Sequence, residues 1–307
     1  MKYAIFSDIH GNFPAFAAAL SDAGKQGAGM FLMLGDYTGT FPWPNEVVET
    51  IRGIGSAAVI RGNGEGYLIN LQKQNQDEWV HEQFKPLYWN YRALKPDNLE
   101  YLTALPEIAD ISDNGGNIRL AHSLEIFYRS PKINIFHSNY FRKMMETAPF
   151  SHEEYLALAK EALLSRDDAL AEINALPKGI YLLGHNHLQF YMEYGDKIFI
   201  NPGSCGGACD CDTSAAYTIL ECVGNDWEIT ERRVKYNVEL TAEGVRNSGL
   251  AAESPVWNGI IERQLITGKD YFGEFVGHLI STSRELGQTE YPVNNDVWDA
   301  AVKTWKI

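Results

Sequence analysis

The sequence predicts an α/β protein: a four-layer α/β/β/α sandwich with inserted helices and a helical C-terminal extension. Three observations point there. Short apolar runs alternate with helical patterns over the first third of the chain. A second set of runs, from residue 179, is joined by tight turns, and from about residue 237 the pattern becomes helical.

The runs "YAIF" (3–6), "MFLML" (30–34) and "AAVI" (57–60) read as strands buried on both faces, as parallel strands usually are. Between the first two lies "NFPAFAAALSDAG", an amphipathic helix. Asn12 can cap it, Pro14 sits in its first turn, Phe13, Phe16, Ala17 and Leu20 share a face, and Gly24 can end it. Right-handed crossovers in this βαβαβ unit bring all three strand C-termini to one sheet edge. Residues 66–110 are polar and aromatic with helical periodicity, a helical insertion, and "NIRLAHS" (117–123) returns to a strand. A second helical insertion spans about 124–176, where Ser151 with Glu154 makes a capping box and Phe150 with Tyr155 a staple.

The runs "GIYLLGHNH" (179–187), "QFYMEYGDKIFINPGS" (189–204), "AAYTILEC" (215–222) and "WEITERRVKY" (227–236) then predict a largely antiparallel second sheet, with a hairpin at Gly195-Asp196. Ser254-Pro255 starts a helix, Gly268 and Gly287 stop helices, and Trp298, Val302 and Trp305 lie along one face. The chain thus divides into a domain over 1–236 and a helical extension over 237–307 packed on it.

Composition narrows the function. The 26 Lys and Arg against 40 Asp and Glu give a net charge of −14, a field that repels polyanions and argues against non-specific nucleic-acid binding. Met1-Lys2 leads directly into the first strand, and no apolar run approaches membrane-spanning length, so a cytoplasmic location without membrane contact is the expectation. Of the four cysteines, three crowd into "CGGACDC" (205–211). Cys209 and Cys211 are too close to bridge comfortably, and no second Cys/His pair completes a metal site, so free thiols on a loop are expected.

The polar residues at strand ends carry the chemistry. Asp8-Ile9-His10 follows the first strand, Gly35-Asp36 the second, Gly62-Asn63 the third, Ala121-His122 the next, and Gly184-His185-Asn186-His187 the one after. Each lies where open α/β sheets build sites. Asp-x-His and His-x-His place alternate side chains on one side of extended chain, where both can meet one ion. Carboxylate and imidazole suit divalent Mn, Fe or Zn.

In these motifs the chain resembles the calcineurin-like metallophosphoesterases, in particular their small bacterial phosphodiesterase branch. Their signature runs Asp-x-His, Gly-Asp, Gly-Asn-(His/Asp/Cys)-(Glu/Asp), a later His, and Gly-His-x-His; here the match covers roughly residues 1–235 in order, with "INPGS" as its last motif. The resemblance implies two divalent ions, with Mn favoured in vitro. One would be held by Asp8, His10, Asp36 and His187, the other by Asp36, Asn63, His122 and His185, with Asp36 bridging. It implies two-metal hydrolysis of a small phosphodiester or phosphomonoester, nucleotides included: ions about 3.5–4 Å apart acidify a shared water and aim the hydroxide at phosphorus. The alternatives are a metal-dependent nuclease, which the acidic charge disfavours, and a non-catalytic interaction module, which the filled ligand positions disfavour.

Three residues have two readings each. Arg61 is a phosphate contact or a surface arginine at a strand end. Asn12 borders the site or merely caps its helix. His137 lies in the locally basic stretch 125–143, with Arg129, Lys132, Arg142 and Lys143. That stretch is a lid over phosphate, with Phe127, Tyr128 or Tyr140 stacking on a ring, or a solvated helical cap. Gly64 stands where many relatives carry a histidine that protonates the leaving oxygen, and His137 is the candidate substitute. His81, His152 and His278 read as structural. Oligomeric state is not legible.

Overall fold

The computed structural model describes residues 1–113, 116–123, 153–154, 157, 161, 167–224 and 226–306. Two five-stranded sheets form its centre. The first has the order β10-β9-β1-β2-β3 and the second β4-β5-β6-β8-β7. The expected βαβαβ unit is present. β1 (Lys2–Phe6), β2 (Met30–Met33) and β3 (Ala57–Val59) are parallel, linked by α1 (Phe13–Lys25) and α2 (Pro44–Gly53). The Asn12 side chain caps α1 by accepting from the Ala15 N–H at 3.2 Å, and α1 runs one residue past Gly24. The helix ends at Lys25, and Gly27, just past its Gln26 cap, takes a φ of +78° that glycine supplies without strain.

The sequence reading misassigned the second set of strands. β9 (Ala215–Val223) pairs antiparallel with β1, and β10 (Asp226–Val234) pairs with β9, so both extend the first sheet. The second sheet is mixed. β5 (Gly116–Ala121), β6 (Gly179–Leu182) and β8 (Lys197–Pro202) run parallel, flanked by antiparallel β4 (Ile108–Asp113) and β7 (Gln189–Tyr194). Burial explains the sorting: β9 is buried from Ala215 to Leu220, which suits an interior strand and not an edge. β4 was missed because its apolar residues alternate with Asp and Ser, and half of Ile108 faces solvent at the sheet edge. The Gly195-Asp196 hairpin joins β7 to β8 as expected.

Alternation along β1 shows how the layers are built. Tyr3 and Ile5 point between the sheets, into a core with Leu32, Leu34, Ile118, Leu120, Ile180, Leu182, Ile200 and Leu220. Ala4 and Phe6 point the other way, against α1 and α2, with Phe16, Ala19, Val47 and Ile51. Helices α3 (Asn63–Leu71), α4 (Lys85–Ala93) and α5 (Pro96–Thr103) make up the first insertion, which ends at β4. Of the second, only α6 (Asp167–Ala175) is a described helix; the capping box at Ser151 and the staple at Phe150 lie outside the described residues.

The C-terminal helices are α7 (Val238–Arg246), α8 (Gly249–Glu253), α9 (Pro255–Thr267), α10 (Tyr271–Glu285) and α11 (Asn295–Thr304). α9 begins after Ser254 and stops at left-handed Gly268, as the sequence indicates. They enclose their own core of Trp257, Phe275, Leu279 and Trp298, which continues into Phe41 and Trp43 from the segment after β2 and Trp89 of α4. No helix among the described residues is long and apolar enough to cross a membrane.

Candidate metal centre

Every parallel strand that ends in a site motif ends on the same side of the molecule. Backbone hydrogen bonds tie those ends together. The N–H groups of Asp8, His10 and Gly11 donate to the carbonyls of Gly35, Asp36 and Tyr37 at 3.1, 2.9 and 2.8 Å, and the Gly184 N–H donates to His122 O at 2.9 Å. The motif loops are therefore built as one unit.

Six non-glycine residues among those described have left-handed backbone: Asp8, His10, Asp36, His185, His187 and Cys211. Five are site residues from three separate loops. Left-handed φ costs an ordinary residue about 1–2 kcal/mol, and such strain persists where surrounding structure enforces it, chiefly at functional sites. Here it turns carboxylates and imidazoles inward at the strand ends.

Their ligand atoms form two adjoining groups that could each hold an ion: Asp8, His10 and His187, and Asp8, Asp36 and His122. In the first, Asp8 Oδ1 lies 3.3 Å from His187 Nε2 and 3.7 Å from His10 Nε2, and those two nitrogens are 3.0 Å apart. In the second, His122 Nε2 lies 3.4 Å from Asp36 Oδ2 and 3.0 Å from Asn63 Oδ1, which is itself 2.8 Å from His185 Nδ1. His122 Nε2 is also 3.9 Å from Asp8 Oδ1, so Asp8 borders both groups. The seven expected ligands converge at one place.

A divalent cation fits what the residues leave unsatisfied. Asp8 Oδ1 is fully buried and has no hydrogen bond, although three imidazole nitrogens surround it. Two Nε2 lone pairs facing each other at 3.0 Å, as in His10 and His187, need a proton or a cation between them. The ring orientations are fixed from behind. His122 Nδ1 donates to Leu34 O at 2.7 Å and His187 Nδ1 to Gly207 O at 2.6 Å, which turns each Nε2 toward the centre.

Electrostatics agree. Burial raises the pKa of Asp36, but His122 beside it more than offsets this and holds it at about 2. Burial pushes His122 down, yet the Asp36 and Asp8 carboxylates outweigh that and raise it to about 10. Without metal, the centre keeps its anions by holding protons on imidazole.

Glycines allow the approach. A Cβ on Gly62 would sit 2.2 Å from Asp36 Oδ1, and one on Gly184 would sit 1.9 Å from Ser7 Oγ. The Gly64 N–H donates to Asp36 Oδ1 at 2.7 Å, and Gly64 lies in the first turn of α3. Its φ is outside the left-handed range, and a Cβ there would meet Asp36 Oδ1 at 3.0 Å.

Glu65 was missed as a site-building residue. It is fully buried and accepts from the N–H groups of Asp36 (2.9 Å), Tyr37 (2.9 Å) and Gly62 (2.8 Å), clamping the Asp36 loop to the Asn63 turn. The acidic fourth position of the Gly-Asn motif was its only signal.

The remaining expectations divide. Asn12 caps α1 and also donates to Gly206 O at 2.8 Å, so it stitches the first motif loop to the 205–211 loop. Arg61 pairs with Glu107 at 2.6 Å, so a phosphate contact requires its side chain to leave that carboxylate. His137 and His152 lie outside the described residues. His81 and His278 bond backbone carbonyls of Val293 and Ala301, in keeping with structural roles. The four cysteines are free thiols, but Cys205 and Cys209 are buried, and Cys209 Sγ packs 3.5 Å from His187 Nδ1.

The sequence model of the calcineurin-like phosphoesterases matches residues 1–206. The chain belongs to this family. Among relatives of this phosphoesterase, an uncharacterized protein of Methanocaldococcus jannaschii, MJ0912, is 26% identical over 256 residues, 83% of this chain and 95% of that one. A metallophosphoesterase from Sphaerobacter thermophilus superposes with a TM-score of 0.59 at 22% identity, covering 87% of this chain and 99% of the other. The hypothetical protein PH1004 of Pyrococcus horikoshii OT3 gives 0.56 at 17%, covering 85% and 97%. These two share the phosphoesterase fold.

Proposed function

We propose that this phosphoesterase uses two divalent metal ions to hydrolyse a small phosphodiester or phosphomonoester, nucleotides among the candidates. The observation that carries the reading is the buried Asp8 carboxylate, whose unpartnered Oδ1 faces the His10, His122 and His187 Nε2 atoms. In this reading Asp8, His10, Asp36 and His187 hold one ion, and Asp36, Asn63, His122 and His185 the other. Bound ions would supply an acidified water as nucleophile and a Lewis acid for the phosphoryl oxygens, manganese being the metal of choice for assay.

The chain's own groups prepare that chemistry. Leu34 O and Gly207 O fix two imidazoles with Nε2 inward, so a cation that enters has only the Nε2 proton to displace. Asn63 turns its amide oxygen toward His122 and His185. Asp36 faces the second imidazole group and is held by the Gly64 N–H. The charge of −14 supports a small substrate over a nucleic-acid chain, and a cytoplasmic location remains part of the proposal. A panel of phosphomonoesters, cyclic nucleotides, dinucleoside polyphosphates and nitrophenyl diesters, assayed with Mn²⁺, tests the reading. Turnover of at least one class, lost on chelation, is expected; no turnover of any class opposes it.

A further inference from the structure

We propose that Gln264 of α9 is a positioning residue for His187, acting through the 205–211 loop, so that the C-terminal extension tunes metal affinity at the centre. This rests on the two-metal reading above.

The chain of contacts is continuous. His187 Nδ1 donates to Gly207 O at 2.6 Å, so the place of that carbonyl fixes the ring. On the inner side Gly207 is held by Ser204: its N–H donates to Ser204 Oγ at 2.8 Å, and that hydroxyl donates to Asp8 O at 2.7 Å. On the outer side the next two residues meet Gln264, which is buried. Its Nε2 lies 3.5 Å from Ala208 O and 3.4 Å from Cys209 Sγ.

The amide cannot turn over without loss. Its Oε1 accepts from the Phe272 N–H at 3.2 Å, so the donor end must face the loop. Further ties fix the loop against the end of α9: the Cys211 N–H donates to Gly268 O at 2.8 Å, Asp210 bridges to Lys269, and Arg233 pairs with Asp210. Ala208, Cys209 and Gln264 all lie beyond the residues matched by the family, which end at 206. Gln264 thus ties the loop behind His187 to the C-terminal helices.

Residues behind a metal-ligating histidine typically change affinity 10–100-fold when altered. Gln264 acts one residue further out, so the lower end, about 10-fold, is expected. The test uses the metal-stripped full chain titrated with Mn²⁺ by calorimetry, comparing wild type, Gln264→Met, Gln264→Asn and Trp298→Phe. The Met variant keeps length without a donor, and the Asn variant keeps the amide but falls short of the loop. Trp298→Phe loosens the same helical core without touching the loop.

One Mn²⁺ step should weaken about 10-fold in both Gln264 variants, with the other step unchanged and Trp298→Phe binding like wild type. In ¹⁵N spectra of the metal-free chain the His187 Nδ1–H signal should weaken in the Gln264 variants alone. Wild-type affinity in both Gln264 variants overturns the proposal, as does equal weakening in Trp298→Phe. A wild type that binds no Mn²⁺ overturns the two-metal reading instead; the ring spectrum then decides on Gln264, and an unchanged Nδ1–H signal overturns its role.

Discussion

At the scale of single residues, two positions decide how the centre is built and what it can do. Glu65 satisfies three buried backbone N–H groups at once. Glu65→Ala would orphan all three at about 1–3 kcal/mol each, so a loss of about 3 kcal/mol or more is expected in denaturant unfolding, together with lost activity. Gly64 bears on the leaving group. It offers no side chain to protonate a departing oxygen, a contribution worth about 10²–10⁴-fold in enzymes that have it. Wild type should therefore turn over nitrophenyl esters much faster than alkyl esters such as glycerol phosphate. Gly64→His is free of φ strain and needs Asp36 Oδ1, 3.0 Å from the new Cβ, to yield slightly. It should raise alkyl-ester turnover selectively relative to Gly64→Ala. Equal aryl and alkyl rates in wild type would count against this role for Gly64.

At the scale of elements, the turn into α3 is a junction packed too closely for a side chain. Gly62 has an ordinary φ, so its need for glycine is purely one of space: a Cβ would meet Asp36 Oδ1 at 2.2 Å. Gly62→Ala should push the Asp36 loop outward and weaken Mn²⁺ binding in calorimetry while helix content stays as in wild type by circular dichroism. Much of this was legible in the sequence. The site residues sit directly after apolar runs, so local pattern was enough to order them and to place β1, β2, β3, β5 and β6. Strand partnership was not legible, because β9 carries the same apolar signal whether it joins β1 or β8; only three-dimensional packing sorts it to the first sheet. Nor could local pattern reveal Glu65 or Gln264, whose roles depend on loops 28 and 56 residues away in the chain.

At the scale of the molecule, the buried charges set the response to pH. In the metal-free chain His122 is raised to about 10, so it is protonated at neutral pH, and a cation must displace that proton. Mn²⁺ loading should release protons, seen as a buffer-dependent calorimetric enthalpy, and affinity should climb as pH rises toward 10. The linkage to stability runs the same way for both partners of the pair. The raised His122 stabilises the metal-free fold below its ordinary value of 6.5, and this is lost as pH rises through about 10. The lowered Asp36 stabilises it above 3.8, and this is lost as pH falls through about 2. The central claim is that Asp36 joins two ions in one hydrolytic centre, and the most direct measurement pairs bound Mn²⁺ per chain with turnover of a nitrophenyl phosphodiester in wild type and Asp36→Asn. Two ions and metal-dependent turnover are expected in wild type, with loss of turnover and of at least one ion in Asp36→Asn at a melting temperature close to wild type. Near wild-type turnover in Asp36→Asn, or full turnover by the metal-stripped chain, would contradict it.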